Sequence, residues 1–226
     1  MLYNTRAISL HFIRFKETSI IARFFTEVFG IQSFIVNGVR TGKSQMPASY
    51  FQPLSLMELV QYHDPRKDLN RLKEIRPEIP LVSLPFSPGK SAIAMFVSEY
   101  LGKVLRDGQA NQTLFELSHD WICTLDQADQ GLDGYPLMFL WQSLGPLGLT
   151  PDSWMDIVPS RSHLDAQQEE ACRQIFACLE SDINPGGGHS HLLKQWILDC
   201  LIRYVQGHLE GMGSIQSLNV LRQVFS

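Results

Sequence analysis

The chain has 226 residues, 44% hydrophobic and 19% charged. That is apolar material for one large domain or two modest ones, and too much for a disordered chain. No run of about 18 apolar residues occurs, so no membrane span is expected, and the opening Met1-Leu2-Tyr3-Asn4-Thr5-Arg6 lacks the pattern of a secretion signal. Four scattered cysteines, Cys123, Cys172, Cys178 and Cys200, point to reduced, buried thiols in a cytoplasmic protein rather than to a disulfide framework.

The net charge of −4 conceals a split. Residues 1–80 hold 11 Lys and Arg against 7 Asp and Glu, whereas residues 81–226 hold 8 against 16. Such asymmetry suggests a polyanion partner for the first segment, set against ordinary solubilising surface charge.

The first eighty residues read as strands. Ile8, Leu10 and Phe12 alternate, and then the apolar parity moves to Ile13 and Phe15, which predicts a bulge or sharp bend. Lys16-Glu17-Thr18 is a turn, residues 19–26 a second strand, and residues 31–36 a third, ending in Asn37-Gly38. A polar loop over 40–45 follows, then strands over 54–62 and 69–75. Short, closely spaced strands with a bent first member suit a five-stranded closed barrel.

Four prolines between Pro77 and Pro88 mark a junction. The expected organisation is a barrel over 1–78, a Pro-rich junction over 79–90, and an all-α domain over 91–226, an α+β chain. From Ser91 the apolar period is helical, with Ile93, Phe96, Val97, Tyr100, Leu101, Val104 and Leu105 as the first stripe. Further stripes run through Leu114 to Leu125 and, after Pro136, Leu137 to Leu144. Asp165 is the expected N-cap of a helix carrying Cys172 and Cys178. The longest helix is expected over 191–209, stopped by Gly211, and a short one carries Leu218 to Phe225.

Candidate chemistry is sparse. Residues 38–44 read GxxxGKS, one short of a phosphate-binding loop, and Gln45-Met46-Pro47 cannot open the helix that such a loop requires. The loop is better read as a basic arm offering Arg40 and Lys43 to phosphates. The glycine-rich 185–191 segment reads as a connection between helices. Cys172, Cys178, His189 and His191 lie close in sequence, but Cys-x5-Cys is not zinc-knuckle spacing, and packing thiols are the better reading. No HExxH, GxSxG or DxD pattern occurs, so no catalytic residue and no enzyme activity are expected, with a metal nuclease or nucleotidase as the weaker rival. Trp121, Trp141, Trp154 and Trp196 are expected to be core residues.

The residues Thr5-Arg6-Ala7-Ile8-Ser9-Leu10, the turn Lys16-Glu17-Thr18-Ser19 and the segment Val36-Asn37-Gly38-Val39-Arg40 resemble the opening of the RecO family, which has a "GETS" turn and a "(V)KGARR" segment. Gln52-Pro53-Leu54, Arg71-Leu72-Lys73-Glu74 and residues 201–211 are similar to later family stretches. Where many members carry a four-cysteine zinc knuckle, residues 151–160 contain no cysteine, so no metal and no cofactor are expected. The resemblance implies an OB-type barrel followed by a helical domain. It implies a recombination mediator that binds single- and double-stranded DNA and anneals complementary strands. Such a protein helps RecA load onto DNA coated with single-strand-binding protein, works with RecR, and meets RecF and RecA indirectly, in the cytoplasm at the nucleoid. The alternative is a non-catalytic adaptor without a DNA role. On this reading Arg6, Arg14, Lys16, Arg23, Arg40 and Lys43 line a DNA-backbone surface. The acidic tail of single-strand-binding protein would meet Arg203, or else Lys103 and Arg106, with an Arg203–Asp199 helix-surface bridge as the competing use of Arg203.

Overall fold

The computed structural model describes residues 2–39, 46–63, 66–158 and 164–225. The basic arm over 40–45, with Arg40 and Lys43, lies outside them.

Five strands come first: β1 (Leu2–Phe15), β2 (Ser19–Thr26), β3 (Gly30–Val36), β4 (Leu56–Tyr62) and β5 (Leu69–Ile79). They close into a barrel in the order β1-β2-β3-β5-β4, with β3 and β5 parallel and all other neighbours antiparallel. This is the OB-type arrangement expected, and closure leaves no open sheet edge. Closure depends on β1 serving two partners. Leu2–Ile8 pairs with β4, and from Ala7 onward the strand pairs with β2. The register slips between Ser9 and His11, leaving Leu10 as the extra residue. The bulge therefore lies earlier than the apolar pattern suggested, because Phe12 is itself 39% exposed and does not mark the core face.

Two boundaries differ from the sequence expectation for physical reasons. Leu54 stands outside β4 with φ 61, and its amide donates to the Ser9 carbonyl at 2.7 Å, while the Ser9 amide donates to Ser55 O at 2.9 Å. These bonds close the backbone opposite the bulge. Strand β5 continues past Pro77 to Ile79, although Pro lacks an N–H for a ladder bond. A short 3-10 turn, Ala48–Phe51, plugs the barrel with Phe51, which lies edge-on to Phe24 at 6.0 Å.

The helices are α1 (Pro88–Val104), α2 (Gln112–Gln127), α3 (Tyr135–Leu144), α4 (Trp154–Ile157), α5 (Ala166–Glu180), α6 (His191–His208) and α7 (Leu218–Val224). Helix α1 begins three residues before Ser91 because Pro88 is accepted in a first turn. Asp165 caps α5 reciprocally with Gln168 as a capping box. None of the described helices is long and apolar enough to cross a membrane.

The hydrophobic core is not divided at the junction. Ile8, Leu10, Phe25 and Ile31 on the outside of the barrel join one cluster with Ile93, Phe96, Tyr100 and Phe115 of the helices, while Ala7, Ile20, Phe24, Phe34 and Leu59 fill the barrel interior. The junction is pinned to the same body. The Asp126 carboxylate at the end of α2 accepts the amides of Val82 (2.9 Å), Ser83 (2.9 Å) and Leu84 (2.6 Å), and the buried Lys90 ammonium donates to the Asp126 carbonyl at 2.8 Å. Burial raises the Asp126 pKa, but those hydrogen bonds outweigh it and hold the group below its ordinary value.

Candidate nucleic-acid interface

Directly opposed residues on neighbouring strands face the same side of a sheet. One row across the barrel wall runs Ile13, Ile21, Ile35 and Arg71, and the next runs His11, Arg23, Ser33 and Leu69. Both rows face outward, since the alternate residues Ile20, Ala22, Phe24 and Phe34 fill the interior. The wall divides along its length. At one end Phe25 and Ile31 are buried under the helices, and at the other Ile13 is 56% exposed with Ile21 and Ile35 half-buried beside it. The α1–α2 loop marks the border: Asp107 bridges to Ile31, the Gly108 amide donates to Ile31 O at 3.2 Å, and Gly30 (φ 65) lies so close that a Cβ would sit 2.0 Å from Gln109 O.

Of the six cations assigned from sequence, Arg40 and Lys43 lie outside the described residues, and the other four do not form one surface. Arg6 lies in the seam between barrel and helices. Its Nε and Nη2 each donate to Glu27 at 2.9 Å, Nη2 also reaches Glu116, and the guanidinium stands 5.3 Å from the Phe115 ring centroid. The Arg6 hydrogen bonds outweigh burial and hold the Glu27 carboxyl below its ordinary value. Arg23 faces outward but pairs with Asp107. Arg14 and Lys16 are exposed at the tip of the β1–β2 hairpin and make no ion pair with any described residue. Arg14 sits opposite Ile20, so it projects to the other side of the hairpin from Arg23. Lys16 takes the left-handed conformation (φ 55) and lies over the Phe15 ring, 5.4 Å from its centroid.

Sequence reasoning missed Arg71. It is exposed, unpaired among the described residues, and beside Ile35 only because β5 runs parallel to β3, a pairing that no local pattern announces. Arg66 and Lys67 precede β5 and are exposed. Arg76 is spent on Glu58, donating at 2.7 Å from Nε.

The helical domain's cations are partly committed. Lys103 pairs with Glu99 at 3.7 Å, and Glu99 in turn accepts the Gln216 and Ser217 amides before α7. Arg106 is exposed in the loop docked on β3. Arg203 does not bridge to the Asp199 carboxylate, which Arg222 occupies. Its Nε instead donates to the Asp199 carbonyl at 3.3 Å and Nη2 to Cys200 Sγ at 3.3 Å. Burial pushes the Cys172 thiol up to about 11, and among the described residues no three His, Cys, Asp or Glu groups gather as metal ligands. In the glycine-rich connection, Gly186 packs so tightly on Gly131 that a Cβ would lie 2.2 Å from Gly131 O, so here glycine serves loop packing.

The wall, with exposed apolar residues between cations on a closed five-stranded barrel, defines an OB-type protein with a helical second domain. The N-terminal residues 1–78 match the family model described as Recombination protein O N terminal. Over the whole of both chains, the sequence is 33% identical to a DNA repair protein RecO of Azobacteroides pseudotrichonymphae, 29% identical to that of Phocaeicola vulgatus, and 28% identical to that of Flavobacterium psychrophilum. The chain belongs to the RecO family of DNA repair proteins, with a role in recombinational repair.

Proposed function

We propose that the protein is a non-catalytic recombination mediator that binds single- and double-stranded DNA on the barrel wall and anneals complementary strands. The observation that carries this reading is the exposed Ile13–Ile21–Ile35 row, bordered by Arg71 and by Lys16, with Arg14 at the same hairpin tip on its other face, where a strand passing around the tip meets it. Cations can follow a phosphate backbone without reading sequence, and the apolar strip gives unstacked bases a dry surface. Arg40 and Lys43, on the arm that follows β3, extend the same basic surface in this proposal.

In the same reading, the protein works with RecR and indirectly with RecF to load RecA on DNA coated with single-strand-binding protein. The acidic tail of that protein meets Arg203, with Lys103 and Arg106 as the second site. Arg203 supports the first choice because it is exposed and has no carboxylate partner among the described residues.

Titration of labelled single-stranded DNA at several salt concentrations tests the core of the proposal. Affinity is expected to fall linearly with salt on a logarithmic scale, and complementary strands to anneal faster with protein present. No binding even at low salt would leave the adaptor reading in its place. Loss of tail-peptide affinity in Lys103→Ala, Arg106→Ala but not in Arg203→Ala would move that site to α1.

A further inference from the structure

Away from the barrel, α2, α3, the loop over 145–151 and the end of α5 enclose a groove of about 520 Å³. Its floor is apolar and aromatic: Leu117, Trp121, Met138, Trp141, Leu144 and Leu179. Its charged lining residues are Asp120, Glu180 and Asp182, with no Lys, Arg or His among them. All three are exposed, and Gln142 Nε2 donates to Asp182 at 3.1 Å, which steadies that carboxylate. Helices α3 and α5 both end here, at Leu144–Gly145 and at Glu180, so the negative ends of two helix dipoles add to the carboxylates. Trp121 is 3% exposed, and its indole N–H has no acceptor among the described residues.

We propose that this groove is a docking site for a basic, apolar peptide segment of a partner protein, with an arginine seated among the three carboxylates and against Trp141. The sign of the rim excludes an acidic peptide or a nucleic acid, whose phosphates would meet carboxylates and helix C-termini only. The floor asks for more than a small cation, because the half-buried Leu117, Trp141 and Pro151 offer apolar area that a lone guanidinium leaves wet. Arginine joins the two halves, since its planar head pairs with carboxylates and stacks on aromatic rings. The site is separate from the DNA-binding wall and does not depend on it.

The test uses the full chain with nitrogen-15 in its four tryptophan indoles. The probes are the peptides acetyl-Leu-Arg-Leu-Arg-Leu-amide and acetyl-Leu-Glu-Leu-Glu-Leu-amide, and free arginine amide. The arginine peptide is expected to shift the Trp121 and Trp141 indole signals, to bind more weakly as salt rises, and to lose about tenfold or more in affinity in the Asp120→Asn, Glu180→Gln, Asp182→Asn variant. These carboxylates are exposed, so the variant keeps its fold, and its affinity for single-stranded DNA stays at the parent value. No shift at millimolar peptide, equal shifts with the glutamate peptide, or undiminished binding by the variant each overturn the proposal. Arginine amide binding as tightly as the peptide overturns it too, reducing the groove to a small-cation site.

Discussion

The two arms of β1 carry one arginine each, and the arms have opposite fates. Before the bulge at Leu10, Arg6 faces α2 and is held in the seam by two glutamates and an aromatic ring. Beyond the bulge the strand runs out as one side of a hairpin, and Arg14 is exposed with no ion pair to any described residue. The comparison teaches that an excess of cations on a segment says little about which of them reach a ligand. Register and covering elements decide that, and here the helical domain takes Arg6 and Arg23 for its own attachment.

That contrast can be broken at several points, and the closed arm gives the largest expected effects. Gly30→Ala puts a methyl group into the Gln109 carbonyl and strains a left-handed residue. Urea denaturation is expected to show a loss of about 3 kcal/mol, with DNA affinity of the folded molecules unchanged. Next comes Arg6→Ala, which leaves Glu27 and Glu116 without their cation in a partly exposed seam. A loss of about 2 kcal/mol is expected, between the values for exposed and buried pairs, with the salt dependence of DNA binding unaltered. A reduced salt slope in this variant would mean that Arg6 touches DNA after all.

The same pair sets a pH dependence. Arg6 holds the Glu27 carboxyl below its ordinary value of 4.5, so the folded state binds fewer protons there than the unfolded chain does. The stabilisation is fully present above pH 4.5 and is lost as pH falls through the depressed folded value. Denaturation curves of wild type and Arg6→Ala are therefore expected to converge on acidification below that point. A stability gap that persists unchanged into strong acid would remove Glu27 from the account.

The open arm is expected to behave the other way. Arg14→Ala, Lys16→Ala and Arg71→Ala together should leave stability within about 0.5 kcal/mol, while the slope of log affinity against log salt falls by about three units. Equal salt slopes in parent and triple variant would take DNA off this wall. The smallest effect belongs to Lys16→Gly. Relief of the left-handed lysine is expected to add up to about 1 kcal/mol of stability, while the salt slope drops by about one unit. Thermal melts and DNA titrations on the same preparation separate the two roles of this residue.

Much of this architecture is legible in the chain because its signals are local. Alternation announced the strands, the prolines from Pro77 to Pro88 marked the change of regime, and Asp165 with Gln168 wrote a helix start that the structure honours. The parity change in β1 was visible as well, though displaced, because an exposed Phe12 imitates a core residue. What could not be read is settled by residues far apart in sequence. Asp107 claims Arg23 from 84 positions away, Asp126 secures a junction more than 40 residues earlier, and Arg222 takes the Asp199 carboxylate that helical spacing had offered to Arg203. Lys90 and Lys194, two of the eight cations in residues 81–226, are 3% and 2% exposed. The candidate DNA surface suffered most, since charge composition gives the sign of a segment and not the direction in which a side chain points.

The shared core has a consequence for how the molecule is made. The barrel leaves the ribosome first, and its strands can pair as soon as Ile79 is clear, but Ile8, Phe25 and Ile31 then present an oily flank to water. Their cover includes Phe96, Tyr100 and Phe115, and Phe115 is 36 residues behind Ile79. At ordinary elongation rates of about 5–20 residues per second, that flank stays wet for about 2–7 s on every nascent chain. The newborn barrel is thus a client for whatever shields sticky surfaces at the exit tunnel, and a message truncated after the fifth strand would release it in that state for good.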